Sequence, residues 1–253
     1  MSGHSKWSTI KHKKARSDEK KGKEFTKIAK DITIAVRTGN SGDPESNAKL
    51  KLAIQKGKAI NMPNENITRA IKKGTGDMEG DAYEEIIYEG YAPGGVAVLL
   101  EIATDNRNRT ASEIRHLFAK NNGNLGETGC VGWMFKRVGL IVVNKEKISL
   151  DEDDFMLAAL EAGADDVKSE EDVYEIITAP ELLMEVKEAL EAEKVEVEMA
   201  DLIMMSDTTT DINDEAMAVK VLKLIDLLED HDDVQNVYSN ANIPDELLDR
   251  LEQ

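Results

Sequence analysis

The spacing of apolar positions divides the chain into two unlike parts. Residues 1–16 are polar and basic, with only Trp7 and Ile10 as apolar anchors, and read as extended or weakly ordered. From about Ser17 to Thr38 the pattern turns helical. Phe25, Ile28, Ala29, Ile32 and Val36 fall at i, i+3, i+4, i+7 and i+11, one apolar stripe. Gly39-Asn40-Ser41-Gly42-Asp43-Pro44 ends that helix. A second helix is predicted from about Glu45 to Ile60. A third follows Met62-Pro63, with Ile67, Ala70 and Ile71 facing inward and Gly74 as its left-handed stop. Gly74 to Asp81 reads as a linker.

Beyond it the spacing becomes strand-like. Glu85–Tyr91 and Val96–Ala103 are predicted strands joined by the turn Ala92-Pro93-Gly94-Gly95, and a helix covers about Arg107 to Lys120. Gly123, Gly126 and Gly129 punctuate what reads as a flexible loop. A βαββαβ rhythm follows. It has strands at Leu140–Val143, Asp166–Lys168, Tyr174–Thr178 and Val195–Met204, and helices at Asp153–Ala162 and Glu181–Glu191. That order predicts a ferredoxin-like unit. A last helix, Asp214–Leu228, and a strand, Val234–Tyr238, complete the earlier β–β–α piece. The expected fold is therefore α+β: an N-terminal three-helix domain (1–79) followed by two α/β domains. One α/β domain comprises 80–130 with 206–253, and the ferredoxin-like one (131–205) is inserted in it.

Composition narrows the function. No run approaches the ~20 apolar residues of a membrane span, and the start is not a secretory signal. One cysteine, Cys130, forms no internal disulfide, which fits a reducing cytoplasm. The net charge of −18 is unevenly spread. Residues 1–80 hold 18 basic and 9 acidic side chains, a net of +9, and residues 81–253 hold 14 and 41, a net of −27. Residues 1–30 alone carry 10 basic and 3 acidic groups, a net of +7. A basic arm on an acidic body points to a polyanion at one end, with the body turned away from phosphates or toward protein. The bland alternative is a solvated basic arm.

Candidate chemistry is sparse. His4, His12, His116 and His231 are scattered and offer no zinc spacing, so no metal and no cofactor is expected. Cys130 reads as an inert thiol. The 123–129 glycine run lacks the Lys-Ser/Thr ending of a phosphate loop, and no hydrolase, zincin or kinase motif occurs, so the chain is not expected to be an enzyme. The expected nucleic-acid contacts are Lys6, Lys11, Lys13, Lys14, Arg16, Lys20, Lys21 and Lys23, extended by Arg69, Lys72 and Lys73. Trp7 either stacks on a base or pins the arm. Asn106, Arg107 and Arg109, between a strand and a helix, read equally well as a second phosphate site or as a helix cap with locally paired arginines. The strands Val96–Ala103 and Leu140–Val143 carry no stacking aromatics of the kind an RNA-binding sheet needs, so the α/β domains read as protein-contact or spacer modules.

Several stretches together resemble the YebC family. They are Gly3-His4-Ser5-Lys6-Trp7, Ile10-Lys11-His12-Lys13-Lys14, Gly22-Lys23-Glu24-Phe25-Thr26-Lys27, Asn61-Met62-Pro63, Arg69-Ala70-Ile71-Lys72-Lys73-Gly74, Glu89-Gly90-Tyr91-Ala92-Pro93-Gly94-Gly95-Val96 and Thr104-Asp105-Asn106-Arg107-Asn108-Arg109-Thr110. The resemblance spans the whole chain. Ala92 and Cys130 depart from it, where glycine and serine are expected. It implies a three-domain cytoplasmic protein. The family has carried the label of DNA-binding transcriptional regulator. Some members, including a mitochondrial translational activator, act in translation at the ribosome, in some cases at stalls on proline runs. The charge division leans toward a ribosome- or rRNA-associated translation factor, with ribosomal proteins as partners for the acidic body. A promoter-binding regulator and a protein-only adaptor stand as alternatives. The chain is expected to act as a monomer.

Overall fold

The structure, a computed structural model, describes residues 21–78 and 82–251. The expected phosphate contacts Lys6, Lys11, Lys13, Lys14, Arg16 and Lys20, and the aromatic Trp7, lie outside the described residues. Three helices open the described chain: α1 (Lys21–Gly39), α2 (Ala48–Ala59) and α3 (Asn64–Thr75). The α1 stripe packs Ile32, Ala35 and Val36 against Leu50 and Ala53 of α2 and Ile67 and Ala70 of α3. Asn47 makes the α1–α2 corner. Its carbonyl oxygen caps α2 by accepting from the Leu50 N–H at 3.1 Å, while its amide donates to the Ala35 and Ser41 carbonyls.

The third helix does not stop at Gly74. Gly74 lies inside α3, and the left-handed residue is Gly76, with φ of 85°. Gly74 serves a different need: a Cβ there would sit 2.5 Å from the Val36 Cβ and 2.9 Å from the Thr33 carbonyl oxygen. Two helices cross at that point closely enough to exclude any side chain.

Strands β1 (Glu84–Tyr91), β2 (Ala97–Thr104), β3 (Asn124–Leu125) and β9 (Val234–Ser239) form one antiparallel sheet in the order β3-β1-β2-β9. Helices α4 (Arg107–Lys120) and α7 (Glu215–Glu229) cover one face. There Ile114, Phe118, Val221, Leu224 and Leu228 meet Val98, Leu100 and Ile102. The second sheet has β4 (Phe135–Asn144), β5 (Asp166–Ser169), β6 (Val173–Thr178) and β7 (Val197–Ser206) in the order β5-β6-β4-β7, every pair antiparallel. With α5 (Glu152–Glu161) and α6 (Leu183–Ala192) packed on it, this is the ferredoxin-like arrangement. The chain thus leaves the first sheet after β3, builds the second, and returns for α7 and β9.

The unbroken apolar runs of β2 and β4 have a common cause: both strands are buried on both faces. Alternate residues Ala97 and Leu99 of β2, with Tyr238, join Leu140 and Val142 of β4 in a shared layer between the sheets. Their neighbours Val98, Leu100, Ile141 and Val143 point into the separate helix-covered cores. Four small elements escaped the sequence pattern: β3, the parallel pair β8 (Thr210–Asp211) with β10 (Ala241–Asn242), and α8 (Asp245–Leu251). Each is too short to show a period.

Candidate nucleic-acid interface

The cations of the first domain fall into two sets. The first set faces the body. Lys23, Lys27 and Lys30 repeat at i, i+4 and i+7 along α1, so they share one side of the helix. The Lys23 Nζ donates to the Asp230 carbonyl at 3.0 Å and the Lys27 Nζ to the Glu229 carbonyl at 2.6 Å. The Lys30 Nζ reaches the carbonyls of Asp232 (2.9 Å) and Ala103 (3.2 Å). This comb caps the C-terminal end of α7, whose last turn has no basic residue of its own and where the helix dipole is negative. Lys23, expected at phosphates, is therefore committed to the body in this arrangement. Lys49 pairs with Glu85 at 2.9 Å and Lys56 with Asp201 at 2.7 Å. Lys51 also meets the body, at Glu188 3.4 Å away.

The second set has no ion pair among the described residues and comprises Arg37 of α1, Lys58 of α2 and three cations of α3. Of those three, Arg69 and Lys72 are exposed and Lys73 is half-buried. Lys21 opens α1, where the preceding basic segment joins the fold.

The 104–110 loop is built around a buried carboxylate. Asp233 accepts from the Lys30 Nζ at 2.8 Å, the Arg109 Nη2 at 2.7 Å, the Thr110 hydroxyl at 2.8 Å and the Thr104 hydroxyl at 3.2 Å. Burial alone would raise its pKa. The hydrogen bonds from Lys30, Arg109 and Thr110 outweigh burial and hold it well below the usual carboxylate range. Asn106 is the α4 cap, accepting from the Arg109 N–H at 3.1 Å. Arg109 also bonds Asp105 at 2.9 Å. Arg107 keeps its guanidinium largely in solvent, 3.4 Å from Glu84. The cap and the paired arginines are both present, and Arg107 is the member of the trio left facing outward.

Lys23 and Arg109, 86 positions apart in sequence, line one open cleft of about 1280 Å³ together with Thr26, Ser112, His116 and His231. Glu113, His231 and Asp233 bring three ligand-type atoms close together there. Their partners make this a network of hydrogen bonds and ion pairs. The Asp233 N–H donates to His231 Nδ1 at 3.1 Å, which places the ring proton on Nε2, facing Glu113 at 2.9 Å. Asp233 is held by two cations.

A second cavity, about 310 Å³, sits where the helical domain meets both sheets. Asp31, Lys56, Glu101, Arg137 and Asp201 line it. Burial pushes the Asp31 carboxyl up to about 6, against the pull of Lys56. Burial also works against the Lys56 charge, but Asp201 and Asp31 win and raise its pKa. Glu101 accepts from Asn236 at 2.8 Å and from the Tyr238 hydroxyl at 3.1 Å.

The glycine loop is ordered around another buried acid. Glu89 accepts the N–H groups of Gly129 (2.8 Å), Val131 (2.8 Å) and Gly132 (2.6 Å). Burial raises the Glu89 pKa, but these three bonds bring it below its ordinary value. Cys130 is half-buried in this loop, its thiol pushed up by burial and by Glu89. Beside it Trp133 is 70% exposed. Periodicity gives no hint of either feature; the signals were an acid inside an apolar strand and a tryptophan next to closely spaced glycines.

Among the described residues no helix is long and apolar enough to cross a membrane. Residues 5–77 match the TACO1/YebC protein N-terminal domain, and residues 83–241 match the TACO1/YebC second and third domain. A probable transcriptional regulatory protein of Syntrophomonas wolfei is 70% identical, over 99% of this chain and 100% of the relative. One of the same description from Pelotomaculum thermopropionicum is 60% identical over 97% of this chain and 100% of its own. The crystal structure of a conserved hypothetical protein from Aquifex aeolicus superposes with a TM-score of 0.81 at 50% identity, covering 91% of this chain and 93% of the other. With both family models matched in order along the chain, and relatives aligned end to end, the protein belongs to the TACO1/YebC family.

Proposed function

We propose that this protein is a non-enzymatic, nucleic-acid-binding regulator of gene expression that works as a ribosome-associated translation factor. One observation carries the reading: the cations of the first domain are sorted. Those facing the acidic body are consumed in ion pairs and carbonyl contacts, while Arg69 and Lys72 on α3 and Lys58 on α2 are exposed; these three and the half-buried Lys73 and Arg37 have no ion pair among the described residues. The basic segment 1–20 enters the fold at Lys21, at the head of the same domain. Phosphates would meet that free set and the arm. The body, with a net charge of −27 over residues 81–253, would turn toward basic protein. On a naked duplex the body gains nothing and is repelled over a Debye length of ~8 Å at physiological salt.

The relatives' description as transcriptional regulatory proteins supports a promoter-binding reading as the second choice. Co-sedimentation with ribosomes and titration of promoter fragments, at equal ionic strength, separate the two. Tighter binding to ribosomes is expected. It should be lost on removal of residues 1–21, with a log–log salt slope of about −4 to −5 if about six lysines meet phosphates. Nanomolar, sequence-selective duplex binding without co-sedimentation would establish the promoter reading. A slope near zero would mean a contact made through protein alone.

A further inference from the structure

We propose that the outward face of α5, with the residue that leads into α6, is a docking surface for a basic amphipathic segment of another protein; the inference deepens the part of the reading above in which the acidic body turns toward basic protein. Among the described residues eight large apolar side chains are exposed, and four of them, Leu150, Leu157, Leu160 and Leu182, fall on or within two residues of these helices. The other four, Met78, Ile87, Trp133 and Val219, each stand on a different part of the fold. Phe155 and Ala159 are the α5 residues buried in the core of this unit. Leu157 comes two positions after Phe155, about 200° round the helix, and Leu160 lies one turn further along the same outer side. Leu157 is 56% exposed and Leu160 45%. Helix α5 therefore has a second apolar face, where a helix lying on a sheet ordinarily carries polar groups. At its end the Gly163 N–H donates to the Leu160 carbonyl at 3.0 Å, and a Cβ on Gly163 would sit 3.9 Å from the Leu182 Cδ1. Leu160 and Leu182 thus flank one turn, which carries the apolar face from α5 to the start of α6.

The charge around this face decides the occupant. Asp153, Asp154 and Glu161 lie one turn from Leu157 on α5, Glu181 is next to Leu182, and Glu185 lies one turn beyond it. All five are exposed, and none has an ion pair among the described residues. Residues 150–186 hold 13 acidic side chains and one basic, Lys168, a net of −12. Such a face repels phosphates and anionic lipid headgroups alike. A second copy meeting it face to face would set like charge against like. What complements it is a segment with apolar residues at helical spacing and lysine or arginine beside them. The leucines then cover the apolar stripe, and the acids meet the cations with no internal partner to displace. An apolar patch rimmed by charge in this way is the mark of a protein contact.

The probe is a labelled peptide of about 14 residues, with leucines at i, i+3, i+4 and i+7 and lysines between them; its control has the same composition with the stripe scrambled. At physiological salt the full chain should bind the striped peptide about tenfold tighter than the scrambled one, read by anisotropy. Leu157→Ser with Leu160→Ser should abolish that preference with an unchanged melting curve, and Leu182→Ser alone should reduce it. Val219→Ser, on α7, should leave it as it is. Glu161→Lys with Glu185→Lys should weaken both peptides. Equal binding of the two peptides would mean that charge alone attracts them and would overturn the inference. So would a preference that survives in the leucine variants, which puts the contact on another face. A striped-peptide affinity that rises tenfold on removal of residues 1–21 would assign the surface to the chain's own basic segment. A dimer in sedimentation velocity that the leucine variants dissociate would assign it to a second copy, and either result overturns the inference. Co-sedimentation with ribosomes is read in parallel. Ribosome binding with no peptide preference leaves the proposed function standing without this surface; a peptide preference without ribosome binding leaves the surface standing and removes the ribosome as its setting.

Discussion

Two buried aspartates respond to pH in opposite directions. Asp233 has its pKa depressed in the fold, so its contribution is present above the unfolded value and is lost as pH falls through the folded one. Its removal at neutral pH leaves the buried Lys30 hydrogen-bonded to carbonyls only and Arg109 paired with Asp105 alone. Asp233→Asn should cost about 3–5 kcal/mol, measured by denaturant unfolding of the full chain at pH 7, with the difference shrinking in strong acid. Asp31 has its pKa raised to about 6, so the folded state prefers the neutral carboxyl and stability falls as pH rises from the unfolded value through about 6. Asp31→Asn should therefore stabilise by roughly 1–2 kcal/mol at pH 8 and by almost nothing at pH 4. A melting temperature that fell at pH 8 would show that the ionised carboxylate contributes a contact of its own. Neither aspartate is legible in the sequence. Asp31 sits in the polar phase of a helix, and Asp233 belongs to a run, Glu229-Asp230-His231-Asp232-Asp233, that reads as a solvated helix end. What makes them special is the packing of distant elements over them.

At the scale of elements, long amphipathic segments declared themselves. The helix predicted over Arg107–Lys120 has those bounds in the structure, because Asn106 caps it and Ile114 and Phe118 mark its buried face. The ferredoxin-like order followed from alternation of strand and helix alone. Glycine was less transparent. Gly74 and Gly76 are two residues apart, and either suits a helix end; which one takes positive φ depends on how α3 approaches α1. Their substitutions should differ in kind. Gly76→Ala meets open space but must hold φ of 85°, a cost of about 1 kcal/mol. Gly74→Ala gains about 1 kcal/mol in helix propensity yet drives a methyl into Val36, so a net loss of about 1–3 kcal/mol is expected. Parallel thermal melts check the order; a more stable Gly74→Ala protein would mean that the two helices can separate without penalty. The 104–110 loop shows the same limit: both a cap and a phosphate site were legible from residue types, and only the position of Asp233 reveals how Asn106 and Arg109 are occupied.

For the whole molecule the decisive property is the charge division, and that was readable directly by counting. What counting missed is that part of the positive charge is turned inward. Lys23, Lys27 and Lys30 hold the first domain on the body, so they act in docking before any ligand arrives. Reversing four or five exposed acids of the body, such as Glu181, Glu185 and Glu188 near α6, should weaken ribosome binding and strengthen binding to a short duplex. Sedimentation and duplex titration read the two arms. Parallel weakening of both would mean that the body's charge acts only by keeping the protein folded.

The inserted module also has a consequence for how the chain folds. β9 must find β2 across more than 125 intervening residues, and closing so long a loop is slow. Yet β4 and β7 pair from end to end, Phe135 opposite Ser206, and the Asp207 N–H reaches the Met134 carbonyl at 3.3 Å. Once the ferredoxin-like unit has formed, its entry and exit are neighbours, and some 70 residues cease to count in the search. The insertion is thus a shortcut that works only if it folds first. Pulse-labelled hydrogen exchange during refolding should protect β4 and β7 before β2 and β9; the reverse order would show that the host sheet closes without the help of its guest.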